Sequence, residues 1–328
     1  MGESYSEGSL EVGLPPALVL FFLAPAIAEL LSGSAPPSEF FHPFGFLLLA
    51  SLYGSGALVV RELKVRWEKG YASLFILGAA YGILEEGLMV KSFFDPEWMD
   101  LGILGSYGRW QGVNWVWAEW LTIYHALFSI AIPITLVELV YVERRNERWV
   151  KDRTLVALTM LLGAVTAFGY LFLTTYRPPA AQYLLAITIV ALLIFSAWRV
   201  PPKMGKGGLQ PPSPRKLALM GFLIALALFS LFMAGPYLIP SPPTLMILGL
   251  ALIYAAGSLL KRYRWDEGTL YHKFALAAGA VAFLILLTPL QELDKSRPDN
   301  PRGMAIVGAV ALILLLLMRR RLKQGAQD

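Results

Sequence analysis

Residues 217–238 read LALMGFLIALALFSLFMAGPYL, a run without a single charge. A helix on a soluble protein buries one stripe and shows water the other, so polar residues return every turn. This run never returns them, and it reaches the roughly 20 residues that cross a bilayer core. Residues 244–260, TLMILGLALIYAAGSLL, and the apolar run 304–318 repeat the pattern. The whole chain agrees: 56% of its 328 residues are hydrophobic and 16% charged. A soluble domain would carry about 25% charged residues. On both sides of 217–238 further apolar segments appear, ten in all, at about 14–31, 43–60, 71–90, 114–141, 154–174, 180–198, 217–238, 244–260, 270–290 and 303–318. The expected fold is all-α, a polytopic bundle of about 10 transmembrane helices. Pro133 should kink the long fourth one.

Charge orients the spans. Of 28 Lys and Arg residues, 21 fall in alternate loops and the C-terminal tail. Basic loops stay in the cytoplasm, so both termini are expected there. Tryptophan favours the membrane interface. Trp67, Trp149, Trp198 and Trp265 border the basic loops; Trp98, Trp110, Trp115, Trp117 and Trp120 gather on the other side. The pI near 9.3 then reflects charge along the inner face, which attracts anionic lipid. Membrane lipids are the expected partners, no nucleic acid is needed, and the cell membrane is the expected location. The segment 1–16 has glutamates but no Lys or Arg, so it lacks the basic start of a secretory signal, and the first run reads as a retained span. With no cysteine, disulfides, Cys-ligated zinc, iron–sulfur clusters and thiol nucleophiles are excluded. The Pro-, Gly- and Lys-rich stretch 199–216 reads as a cytoplasmic linker.

The intramembrane charges are unevenly spread. Glu29, Glu85, Glu86, Glu119, His125 and Glu138 all lie in spans one, three and four. A charge at the bilayer centre costs about 3 kcal/mol even on lenient scales, so such groups usually face a cavity or one another. We therefore divide the chain into a four-span part, 1–150, which carries the acids, and a six-span apolar part, 151–328. Glu29, Glu85, Glu86 and Glu119 fall at similar depth in the outer half of their spans, with His125 somewhat deeper. Glu62 and Glu138 sit among basic residues near the inner ends and read as interfacial ion pairs.

Gly78, Gly82 and Glu86 repeat every four residues, a small-residue packing stripe that ends in a carboxylate. Glu85 points about 100° away and shares its face with Tyr81. Adjacent carboxylates in a low dielectric suit acid–base chemistry; the alternative is a hydrogen-bonded pair that fastens helices. His125 lies on a stripe with Ala118, Thr122 and Ser129. His42 and His272 read as interfacial. Several Glu with one His could bind a divalent metal, but no HExxH pattern accompanies them. No metal ligand is assigned on sequence, and cofactors stay open. The long loop 91–114 follows the Glu pair and leads to Glu119, as a lid would. Residues 32–37 are placed to pack against it.

Three segments, AIAELLSGSAPP (26–37), AAYGILEEGL (79–88) and LTIYHALFSIAIPITLVE (121–138), resemble a family of uncharacterised multi-pass membrane proteins of archaea and bacteria. The Glu pair followed by a later His also resembles the type II CAAX-protease-like superfamily, with its EExxxR and FxxxH motifs. That resemblance implies a glutamate-dependent intramembrane hydrolase, with Glu85 as the water-activating base and His125 assisting. Val90 stands where its Arg would be, beside Lys91, and Leu121 stands in place of Phe. The catalytic candidates are therefore Glu85, Glu86 and His125, supported by Glu29, Tyr81, Glu119, Thr122 and Ser129. A proton-coupled carrier and a non-catalytic scaffold or lipid-binding protein are the competing readings.

Overall fold

The computed structural model describes residues 13–201 and 207–324. Within these residues eleven α-helices follow one another: α1 Pro16–Leu31, α2 Pro37–Phe40, α3 Pro43–Arg66, α4 Tyr71–Met89, α5 Trp115–Val140, α6 Asp152–Leu173, α7 Ala180–Arg199, α8 Pro214–Leu238, α9 Pro242–Lys261, α10 Leu270–Leu293 and α11 Met304–Gln324. All ten hydropathic segments are helical. Eight of these helices, α3 to α10, are long and apolar enough to cross a membrane. The other two are α1, which is shorter, and α11, whose apolar part stops at Arg319. The chain is an all-α multi-pass membrane protein, relieved by a two-residue antiparallel pair, β1 Arg109–Trp110 and β2 Val113–Asn114.

Burial ranks the helices. α5 is enclosed along most of its length, whereas α6 and α9 expose most of theirs. Lipid takes the place of water around such helices, so exposed leucines and phenylalanines there are ordinary. α4 packs closely on α5 and α7, α8 on α10, and α10 on α11. The Gly78–Gly82 stripe makes the α4–α5 contact possible: Gly78 faces the backbone of Ala126, and Gly82 faces Thr122 and His125. Small residues let backbones approach where lipid offers no hydrophobic drive.

Among the described residues, five helices contain a π-helical turn: Ala50–Gly54 and His125–Ala131 interrupt α3 and α5, and Ala26–Leu31, Leu84–Met89 and Gly169–Leu173 end α1, α4 and α6. The turn in α5 lies just ahead of Pro133, where the sequence predicts a kink. Proline has no N–H to return to the carbonyl of Ser129, so the helix opens into a wider turn there.

At the end where α3 meets the 141–152 connection, the anticipated ion pairs form a buried network. Arg61 and Glu62 are both fully enclosed, and Arg61 also faces Glu138. Lys64 pairs with Glu138, and Arg66 pairs with both Glu62 and Asp152. At the opposite end, residues 32–38 bind a different loop from the one expected. Arg297 donates to the Gly33 carbonyl at 2.7 Å, Gln291 donates to that of Ser32, and Ser38 donates to that of Asn300 at 3.3 Å. The turn that ends α1 is thereby fixed to the α10–α11 connection, not to residues 91–114.

Candidate functional site

The site is assembled from the π-turns of four helices. Glu29 lies in that of α1, Tyr53 in that of α3, Glu85 and Glu86 in that of α4, and His125 and Ser129 in that of α5. Such turns are rare, and they concentrate at functional sites because they turn side chains out of helical phase.

His125 stands between the two carboxylates. Its Nδ1 lies 3.3 Å from Glu85 Oε2 and 2.9 Å from Ser129 Oγ, and its Nε2 lies 3.2 Å from Glu86 Oε1. Tyr53 hydrogen-bonds both Glu29 and Glu85 through one hydroxyl. A phenol carries one proton, so it donates to one carboxylate and accepts from the other group as its acid form. Ser92, from the loop 91–114, donates to Glu86, and Trp117 donates to the Ser92 hydroxyl at 3.1 Å. The polar chain thus runs from Glu29 through Tyr53, Glu85, His125 and Glu86 to Ser92. Three tyrosines wall the imidazole: Tyr53, Tyr81 and Tyr124 have ring centroids 6.1, 6.2 and 5.3 Å from it. Tyr124 also donates to the Ala28 carbonyl at 2.5 Å, which holds α1 against α5.

The sequence-derived candidates separate. Glu85, Glu86, His125 and Ser129 converge, with Glu29 one hydroxyl away and Tyr81 in the aromatic wall. Thr122 serves through its backbone, at the Gly82 crossing. Glu119 does not converge. Its carboxylate lies in a notch formed by Gly249 of α9 and Phe232 of α8, and both oxygens are enclosed without a hydrogen-bond partner among the described residues. Similar depth predicts one cluster, but depth does not fix the direction in which a side chain leaves its helix. Lys91 also turns away. Its ammonium binds the carbonyls of Tyr170 and Thr174 at 2.7 and 3.2 Å, and burial followed by the Arg177 charge lowers its pKa to about 8. It caps the end of α6 and cannot stand in for a motif arginine facing the Glu pair.

Tyr53 and Ser92 carry no sequence signal. Tyr53 is one hydroxyl among three in its span, beside Ser51 and Ser55, and Ser92 is one of two serines in a long loop. The only available clue is that a buried carboxylate must find a donor.

The loop 91–114 is anchored by its own apolar residues, Phe93, Phe94, Leu101, Leu104 and Val113, which are buried in the core. Arg109 gathers the carbonyls of Phe94, Asp95 and Gly105. Asn114 caps α5 by accepting from the Trp117 N–H at 3.0 Å, while its amide donates to the Leu104 carbonyl. Asn114→Ala should remove both contacts. We expect a loss of about 1–2 kcal/mol, the range for losing an N-cap, read as a lower melting temperature and faster proteolysis within 91–114.

Comparison with known proteins places this architecture without naming a reaction. An uncharacterised protein of Archaeoglobus fulgidus is 26% identical over 125 residues, 38% of this chain and 38% of that protein. The alignment thus spans well under half of the relative. No solved structure matches the chain. A family model matches residues 18–318, and on that match the chain belongs to an uncharacterised membrane protein family.

Proposed function

We propose that the protein is an intramembrane hydrolase in which Glu85, Glu86 and His125 activate water. One observation carries this reading: a single imidazole is held within 3.3 Å of two carboxylates from another helix, one on each ring nitrogen. Glu86 is the less enclosed of the pair and lies next to the loop 91–114, so it is the base that takes the proton from water. His125 returns a proton to the leaving group. Glu85, held by Tyr53, keeps the imidazole oriented and compensates its charge when protonated. General acid–base pairs of this kind contribute about 10²–10⁴ in rate. Asp100, exposed on the loop 91–114, lies within electrostatic reach of Glu86. In the orientation expected from the basic loops, the site lies toward the outer side of a cell membrane and both termini lie inside.

The test is turnover of bilayer-embedded peptide and ester substrates by the reconstituted protein. Glu86→Gln and His125→Ala should each lose about 10²-fold or more while keeping the wild-type melting temperature. Turnover at the wild-type rate by both variants would overturn the reading. A second reading, a proton-coupled carrier, is favoured by the unbroken chain Glu29–Tyr53–Glu85–His125–Glu86. It requires solute uptake into liposomes that follows a pH gradient and is lost in Tyr53→Phe.

A further inference from the structure

We propose that Glu85, Glu86 and His125 hold one divalent transition-metal ion. One donor atom from each of the three lies within 4.8 Å of the other two. Carboxylates alone would be weak grounds, but two further features point to a ligand. Glu85 is 6% exposed, and its Oε2 is completely enclosed without a hydrogen-bond partner among the described residues. The nearby His125 Nδ1 does not supply one when its proton is directed at Ser129. The Tyr81 hydroxyl, in the wall of the same site, is enclosed beside the Glu85 carboxyl, without a hydrogen bond of good geometry. A buried oxygen left without a donor is costly unless a cation or water completes it.

The second feature is the distribution of hydroxyls. Each of the three side chains has one polar atom occupied by a hydroxyl and one left over. Tyr53 holds Glu85 Oε1, Ser92 holds Glu86 Oε2, and Ser129 holds His125 Nδ1. The remaining atoms are Glu85 Oε2, Glu86 Oε1 and His125 Nε2. Outer-shell partners of this type fix the tautomer and orientation of metal ligands. With Nδ1–H donating to Ser129 Oγ, the Nε2 lone pair faces Glu86 and is available to a cation.

Charge favours a divalent ion. Two carboxylates and one M²⁺ sum to zero, the state that a low-dielectric interior tolerates most easily. Two oxygens and one nitrogen, without sulfur, suit zinc, manganese or iron(II). Calcium needs six to eight oxygens. Three protein ligands leave a position for water, the arrangement of catalytic metal sites. The metal site rests on the same residues as the hydrolytic reading and would give them another role, since Glu86 and His125 as ligands would orient a cation and not carry the proton themselves; the experiment separates the two.

The full-length protein, purified in detergent and stripped with chelator, is titrated with Zn²⁺ and Mn²⁺, with bound metal counted by mass spectrometry. One ion per chain is expected. Glu85→Gln and His125→Ala should weaken binding about 100-fold or more, and Ser129→Ala or Tyr53→Phe should weaken it about 10–100-fold. His42→Ala/His272→Ala should leave it unchanged. Melting curves identify any variant that fails to fold, in which case the serine and tyrosine variants carry the test. A stoichiometry near zero, or binding unchanged in folded Glu85→Gln and Ser129→Ala, overturns the proposal. Metal bound at full stoichiometry by a protein that turns over no substrate supports the metal site and fails the hydrolase. Turnover that survives complete chelation, in a protein that then takes up no ion on titration, fails the metal site and supports the hydrolase.

Discussion

Arg61→Ala is expected to be among the most damaging single substitutions in the protein, at about 3–5 kcal/mol, the range for breaking a buried ion pair by removing one partner. Arg61 is completely enclosed. Its guanidinium reaches Glu62 at 2.7 Å and the carbonyls of Glu147 and Arg145 at 2.6 and 2.7 Å, and it lies 3.6 Å over the Trp149 ring. An ion pair, backbone hydrogen bonds and a ring contact thus end on one planar group. Removing it leaves Glu62 enclosed with a weaker charged partner, Arg66 at 3.3 Å, and leaves backbone carbonyls without donors. Arg61→Lys should recover little, because an ammonium cannot fork between a carboxylate and two carbonyls or stack on an indole. The observable is the melting temperature in detergent, which should fall by roughly 5–10 °C. A fall below about 2 °C would mean that the network contributes little.

The second large effect is at the α4–α5 crossing. A Cβ on Gly78 would stand 2.8 Å from the Ala126 Cα and 3.1 Å from the Ala126 carbonyl oxygen. Backbone atoms cannot rotate aside, so the helices must separate. Gly78→Ala should cost about 1–3 kcal/mol from overpacking, and Gly78→Leu more. Ala126 is the neighbour of His125, so the same displacement opens the 3.2 Å contact between His125 and Glu86. On the proposed hydrolytic reading, turnover should therefore fall with stability. The control is Gly163 on α6, where an added Cβ meets nothing within 4 Å. There the alanine should stabilise the helix, by up to about 1 kcal/mol. Opposite signs from the same substitution at two helical glycines separate packing from propensity. Equal signs would refute the close-contact account of Gly78.

Much of this architecture is legible in the sequence, for definite reasons. Hydropathy locates all ten long helices, because a span must satisfy its backbone internally and face lipid. Helical spacing identifies the Gly78–Gly82 stripe, because four residues return to one face. The cost of intramembrane charge leads to Glu85, Glu86 and His125. Direction around the helix is less legible. Glu119 shares α5 with His125 and lies less than two turns before it, yet its carboxylate leaves toward α8 and α9. Tyr53 and Ser92 complete the site with neutral hydroxyls, which the cost of intramembrane charge does not mark.

The π-turns bear on how the protein could change. Those inside α3 and α5 each add about one residue without altering where the helix enters or leaves the bundle. An extra residue in an uninterrupted α-helix would rotate everything beyond it by about 100° and ruin the packing. Absorbed in a wide turn, it displaces only its neighbours. The turns that hold Tyr53 and His125 therefore behave as length insertions in an otherwise regular scaffold, and those that hold Glu29, Glu85 and Glu86 set the phase in which α1 and α4 end. Shortening the turn of α3 or α5 by a single residue would return that helix to regular winding, with both flanks still seated and the Tyr53 or His125 side chain turned aside. Chain length, counted residue by residue within these turns, is as much a determinant of the site as the identity of its acids.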